Sequence, residues 1–275
     1  SYPIVAYGKD KQGYIIDITS DVNASGKLFS FPNQSVINTP AADRSFLDTV
    51  LVINDGVKFM SLRAQSTFTP GIFGMPGRDT HNAAWVEWSL QQLPDRTIAE
   101  RHADPRIGYD VISYNDYDKN PNGVKKETIV KRWNLQVTPE DMEKYKRGEL
   151  VEPVKPIVFY IDRNTPKFLQ PYFVEAVNLW QPVFEKIGFK NAIIGKMAPT
   201  PEEDPDFSIE DIRYSVISYK ASLVANAYGP HMADPRSGEI LCSHIGIFHN
   251  VMAMVQQWYF CQAAASDPRV RQYPM

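Results

Sequence analysis

Ile157-Val-Phe-Tyr-Ile161 is a run of five apolar residues, and Phe173, Val177, Trp180, Phe184 and Ile187 follow it at spacings of 4, 3, 4 and 3. The run is short, rich in β-branched residues and bounded by Pro156 and Asp162, as an inner strand of a sheet would be. The spaced residues fall on one stripe of a helix. Pro182 lies inside that stripe and predicts a kink; Gly188 is a good stop. Strand-like text resumes at Ala192–Met197, so the chain here builds a sheet with a helix packed on it.

Downstream, Arg213–Tyr219 and Gly238–Phe248 also read as strands, with Asp234-Pro-Arg-Ser-Gly238 as the tip of a hairpin. Asn250 is placed to cap a last helix through Ala265, with Val251, Met254, Val255 and Trp258 on one face. Upstream, Thr138 and Pro139 start a short helix, and Gly148, Pro153 and Pro156 follow as in a linker. The junction is therefore expected near residue 152, giving domains 1–152 and 153–275.

The first half reads as antiparallel β structure. Ile4–Tyr7 and Tyr14–Ile18 flank a turn at Lys11-Gln12-Gly13, and residues 20–45 read as a surface loop. Thr49–Ile53 and Val57–Thr69 flank Asn54-Asp55-Gly56, a strong turn signal. From Ala84 the pattern alternates, with Ala84, Val86, Trp88 and Leu90 on one face. Ile107–Tyr114 and Val124–Val137 make another pair across the turn Asn120-Pro-Asn-Gly123.

Composition narrows the function. The 275 residues carry 29 Lys+Arg against 32 Asp+Glu, a net charge of −3. A nucleic-acid partner is not expected, because such proteins carry a basic excess. No apolar stretch approaches the roughly 18 residues of a membrane span. Two cysteines, Cys242 and Cys261, cannot make a disulfide framework, although they could pair if their elements pack closely.

No catalytic motif is complete. None of His81, His102, His231, His244 and His249 is followed by Glu, so the helical His-Glu-x-x-His zinc motif is absent. His231, His244 and His249 could form a three-histidine site or could be strand histidines with ordinary hydrogen bonds. Cys242 could be a nucleophile given a base and an electropositive setting, or a buried inert thiol. There is no Gly-x-Ser-x-Gly, no phosphate loop and no dinucleotide fingerprint.

Several blocks carry a resemblance. Arg213-Tyr-Ser-Val-Ile-Ser-Tyr219, Ala225-Asn-Ala-Tyr-Gly-Pro-His231, Asp234-Pro-Arg-Ser-Gly-Glu-Ile-Leu241, Ser243-His-Ile-Gly246, His249-Asn250 and Trp258-Tyr-Phe260 resemble large bacterial zinc-dependent metallopeptidases of the metzincin-like (zincin) type. Trp180–Phe184 and Gly188–Ile193 look like the first long helix and next strand of that catalytic domain. Asp104-Pro-Arg-Ile-Gly-Tyr109, Asn122–Lys125 and Arg132-Trp133 look like the domain of unknown function that precedes it.

The resemblance implies an α+β chain: a mainly antiparallel β domain, then the upper part of a zincin-like catalytic domain, a mixed β-sheet with two long helices. In that family the His-Glu-x-x-His-x-x-Gly-x-x-His helix follows the segment matching Asp267–Arg271, and this sequence ends at Met275 before it. The chain is thus expected to be an N-terminal fragment, inactive alone, with zinc bound by the complete protein and none by these residues. Such enzymes look exported, to the periplasm, cell surface or beyond.

The resemblance also implies a peptide or protein substrate held by backbone pairing to an edge strand. That strand would be Glu239–Ile245, with Ile240, Leu241, Cys242, Ser243 and His244 as the substrate-binding residues. A cut catalytic domain would expose apolar surface and so offer a dimer contact. The competing readings are a self-sufficient peptide- or glycan-binding β module, and a complete enzyme using the three histidines or Cys242.

Overall fold

The computed structural model describes residues 2–9, 13–19, 38–53, 56–69 and 76–270. They fall into two compact units, residues 1–92 and 93–275. The division comes well before the junction expected near residue 152, and the 93–152 stretch lies in the second unit.

In the first unit, β1 (Ile4–Tyr7) and β2 (Tyr14–Ile16) pair antiparallel, as expected. Lys11 and Gln12 of the expected turn lie outside the described residues, as do Asn54 and Asp55 of the other. The expected loop over 20–45 is undescribed to residue 37. Beyond it, β3 (Asn38–Pro40) and a 3-10 turn at Ala42–Arg44 replace loop. β4 (Phe46–Ile53), β5 (Gly56–Thr69) and β6 (Arg78–Gln91) complete an antiparallel sheet with β5 in the middle. Ile18, Val57 and Trp88 are partly buried in one apolar cluster, while Leu90, expected on the same face as Trp88, is exposed.

The second unit opens with β7 (Val111–Asp116) and β8 (Lys125–Val130), an antiparallel pair shorter than the sequence suggested. The Asn120 carbonyl accepts from the Gly123 N–H in the expected turn. Helix α1 (Met142–Lys146) starts later than expected, and Thr138 accepts the Asp141 N–H in the turn before it.

A six-stranded mixed sheet follows: β9 (Ile157–Ile161), β10 (Ile193–Met197), β11 (Ser215–Lys220), β12 (Ala227–Tyr228), β13 (His231–Ala233) and β14 (Ile240–Phe248). Its order is β10-β9-β11-β14-β12, with β13 also on β14. β9, β10, β11 and β14 are mutually parallel; β12 and β13 run antiparallel to β14. β9 is inner, as its unbroken apolar run predicted. Ile157, Phe159 and Ile161 meet Val177, Ile193 and Ile217 in the core.

The kinked helix expected over 173–187 is two helices, α2 (Gln170–Asn178) and α3 (Gln181–Glu185). Pro182 sits in the first turn of α3, where its missing N–H breaks no bond. The stripe splits with them. Val177 is buried and Phe173 and Phe184 pack on the core, whereas Trp180 and Ile187 are exposed. Helix α4 (Val251–Trp258) runs on into a π-helical turn at Tyr259–Ala263. Asn250 precedes it but makes no side-chain cap, since its amide donates to the Leu223 carbonyl at 3.0 Å. Among the described residues no helix exceeds nine residues, against the two long helices implied, and none is long and apolar enough to cross a membrane.

One local device recurs. In Asp104-Pro-Arg106, Asp211-Ile-Arg213, Asp234-Pro-Arg236 and Asp267-Pro-Arg269, the Asp accepts the Arg backbone N–H on Oδ1 and clasps its guanidinium with both oxygens. Asp234 sits in the expected hairpin tip, where Gly238 takes a left-handed φ of 74° that a side chain would resist. Arg236 also donates to the Pro94 carbonyl at 2.6 Å, and Glu239 accepts from Thr97, Ile98 and Asn134. These bonds sew residues 94–98 and 134 to the hairpin.

Candidate functional site

The mixed sheet has two edges, and side chains treat them differently. At β10, the Gly195 N–H donates to Asn178 Oδ1 at 3.0 Å, and Asn178 Nδ2 donates back to the Gly195 carbonyl at 3.5 Å. Gln181 Nε2 donates to the Ile193 carbonyl in the same way. Two amides from the α2–α3 junction thus satisfy the edge that a further strand would need. A β-carbon on Gly195 would come 2.7 Å from Val177 Cβ and 2.9 Å from the Val174 carbonyl, so only glycine lets the helix sit this close.

The opposite edge is formed by β12 and β13, and among the described residues no strand pairs with its outer side. The Pro230 carbonyl accepts the His244 N–H, so by strand alternation Gly229 and His231 turn their backbone groups outward. Tyr228 lies across Gly246, where a β-carbon would meet its ring, and Tyr228 and Phe248 have centroids 5.8 Å apart. That aromatic cover pins the two-residue β12 to its neighbour.

Ile240–His244, expected as the free edge, lie one strand further in. β14 pairs with β13 through Ile240, Cys242 and Ser243, and with β11 from His244 onward. The Ser243 N–H donates to Ser215 Oγ and the Ile240 N–H to the Arg132 carbonyl. Sheet order is non-local, which is why strand text alone misplaced the edge. Strands of two and three residues broken at Gly229-Pro230 carry too little alternation to be read.

The candidate histidines do not converge. His231 Nε2 is 2.6 Å from Asp110 Oδ2, His244 Nε2 donates to the Tyr214 carbonyl at 3.0 Å, and His249 Nδ1 shares a 2.5 Å hydrogen bond with the Tyr219 hydroxyl. Burial opposes ionisation of Asp110, but Lys131 and the His231 charge outweigh it and hold the carboxyl below its usual value. Among the described residues no three His, Cys, Asp or Glu side chains form a metal-binding group. Cys242 is 1% exposed and burial pushes its thiol up, the reverse of an activated nucleophile. Both cysteines are free thiols.

Ile240 and Leu241 also line a cleft of about 290 Å³ at the amino-terminal ends of β9, β11 and β14. Trp133, Tyr160 and Tyr214 supply its aromatic wall. Burial raises the Tyr214 phenol above its usual value, against the nearby Arg213 charge. Four separate stretches of chain build this cleft, so no local motif announced it.

No curated protein and no solved structure matches the chain. Residues 1–138 match the family described as Domain of unknown function (DUF5117). The match ends inside the second compact unit, beyond β7 and β8 and at the Thr138 turn. Because it takes in half of the 275 residues, the chain belongs to the DUF5117 family.

Proposed function

We propose that the chain is the substrate-positioning part of an exported zinc-dependent metallopeptidase of the metzincin-like type. The observation that carries this reading is the asymmetry of the mixed sheet. One edge is closed by Asn178 and Gln181; the other, β12–β13, has no strand on its outer side among the described residues and runs antiparallel to β14. An extended peptide adds to an open edge through main-chain bonds, with pockets for alternate side chains. In this reading zinc and the general base would come from a His-Glu-x-x-His helix supplied by residues beyond these.

Reading the gene onward from the Met275 codon tests the proposal. An in-frame His-Glu-x-x-His-x-x-Gly-x-x-His is expected soon after it, and a frame without that motif overturns the peptidase reading. The alternative, a self-sufficient peptide- or glycan-binding module, draws on the same open edge and on the aromatic cleft. It predicts ligand binding by the 275-residue chain with no zinc and no turnover in the full gene product.

A further inference from the structure

The α2–α3 pair is apolar on two sides. Phe173, Val177 and Phe184 face the sheet core. At 3.6 residues per turn, Tyr172, Ala176, Leu179, Val183 and Ile187 fall within about 80° of one another, on the side turned away from that core. All five are exposed, and Tyr172, Leu179, Val183 and Ile187 keep 64%, 69%, 51% and 54% of their surface. The two helices join without a loop. Leu179 and Trp180 hold right-handed helical dihedrals, and the Leu179 N–H donates to the Glu175 carbonyl at 2.8 Å. The outer stripe therefore runs on for roughly 24 Å, at 1.5 Å per residue. A surface helix ordinarily turns polar side chains this way, so the stripe marks a contact face.

That face is complementary to itself. Turned end over end about a point near Leu179 and Trp180, it sets Tyr172 of one copy opposite Ile187 of the other and Ala176 opposite Val183. Glu175 and Lys186 flank the stripe on its same side, one before and one after that point. Both are exposed, and neither makes an ion pair among the described residues. A two-fold axis perpendicular to the helices keeps same-side residues together, so Glu175 of each copy meets Lys186 of the other. A parallel pair brings no such charges together. With Trp180, the stripe leaves on the order of 600 Å² exposed per copy, so pairing would bury about 1,200 Å² in all, the lower end of a specific interface.

We propose that a second copy of this chain covers the outer α2–α3 face, in an antiparallel dimer with two-fold symmetry. The small Ala176 makes room for Val183 of the second copy, and two Glu175–Lys186 pairs fix the direction. The dimer needs neither zinc nor peptide, so it stands apart from the peptidase reading.

The test is sedimentation equilibrium of the 275-residue chain, with circular dichroism to show that each variant is folded. The native chain is expected to dimerise at micromolar concentration. Leu179→Glu sets like charges beside the two-fold axis and should abolish the dimer. Glu175→Lys and Lys186→Glu should each weaken it about tenfold, because two symmetric surface pairs turn repulsive at once. The two exchanges together should restore the native affinity, since the pairs form again with their signs reversed. A chain that stays monomeric at sub-millimolar concentration, a dimer that survives Leu179→Glu, or single reversals that the double exchange fails to rescue would each overturn the proposal. A dimer lost with Trp258→Ser but not with Leu179→Glu would put the contact on α4 and overturn it equally.

Discussion

Asn178 and Gly195 exchange two hydrogen bonds, side chain to backbone, so that a helix residue completes the outer strand of the sheet. Replacing Asn178 with Leu removes both partners while keeping the volume. The expected loss is about 1–2 kcal/mol, the cost of leaving strand groups unpaired. The exposed edge should also promote association, visible as a concentration-dependent sedimentation coefficient. Gly195→Ala tests the packing half of the same contact and should cost about 1–3 kcal/mol by overpacking against Val177 and Val174. Urea unfolding midpoints read both.

Asp234 is fully buried, and the Arg236 side chain beside it holds its carboxyl below the usual carboxylate value. A folded value below the unfolded one stabilises at pH above the unfolded value, and the gain fades as pH falls through the folded value. Asp234→Asn should therefore cost about 2–3 kcal/mol at neutral pH. The difference from the native chain should shrink steadily below about pH 4. A gap that stays constant down to pH 2 in denaturant titrations would show the clasp to be electrostatically inert.

The two thiols should separate cleanly by reactivity. Cys261 is exposed, whereas Cys242 is buried with its thiol pushed up. One equivalent of a thiol reagent is expected to react at once under native conditions, and the second only on unfolding. Mass spectrometry of the partly labelled chain should place the fast label on Cys261.

Val255, Trp258 and Phe260 are 54%, 56% and 66% exposed on α4 and its π-helical extension. A second apolar surface, a groove of about 400 Å³, lies beside Trp180, Ile217, Ile245 and Ile247. Surfaces of this kind recruit partners or copies. The 275-residue chain should bind an anilinonaphthalene dye and self-associate at micromolar concentration, and Trp258→Ser with Trp180→Ser should weaken both. A monomer that ignores the dye would remove the expectation of a dimer.

How much of this was legible depended on range. The hairpin tip at Asp234–Gly238, the inner character of Ile157–Ile161 and the turn at Asn120–Gly123 rest on neighbours in sequence, and the sequence reading located each. The stripe from Phe173 to Ile187 was half legible, because Pro182 starts a new helix and Trp180 and Ile187 are left more than half exposed. Asn250 carries the right residue for a cap, yet the Leu223 carbonyl takes its amide. The open edge and the cleft depend on which strands become neighbours, and no window of sequence holds that information.

The Asp-x-Arg clasps have a consequence in time. Each needs only three consecutive residues, so these corners can set as soon as they leave the ribosome. β9 gains its partner on the other side only when β11 emerges at Ser215, roughly 3–10 s of synthesis later at usual rates. The parallel sheet must then wait again for β14. Nascent chains of this protein therefore hold the Asp104–Arg106 corner while β9 is paired on one side only, and that interval is when a chaperone that grips extended apolar segments has most to grip.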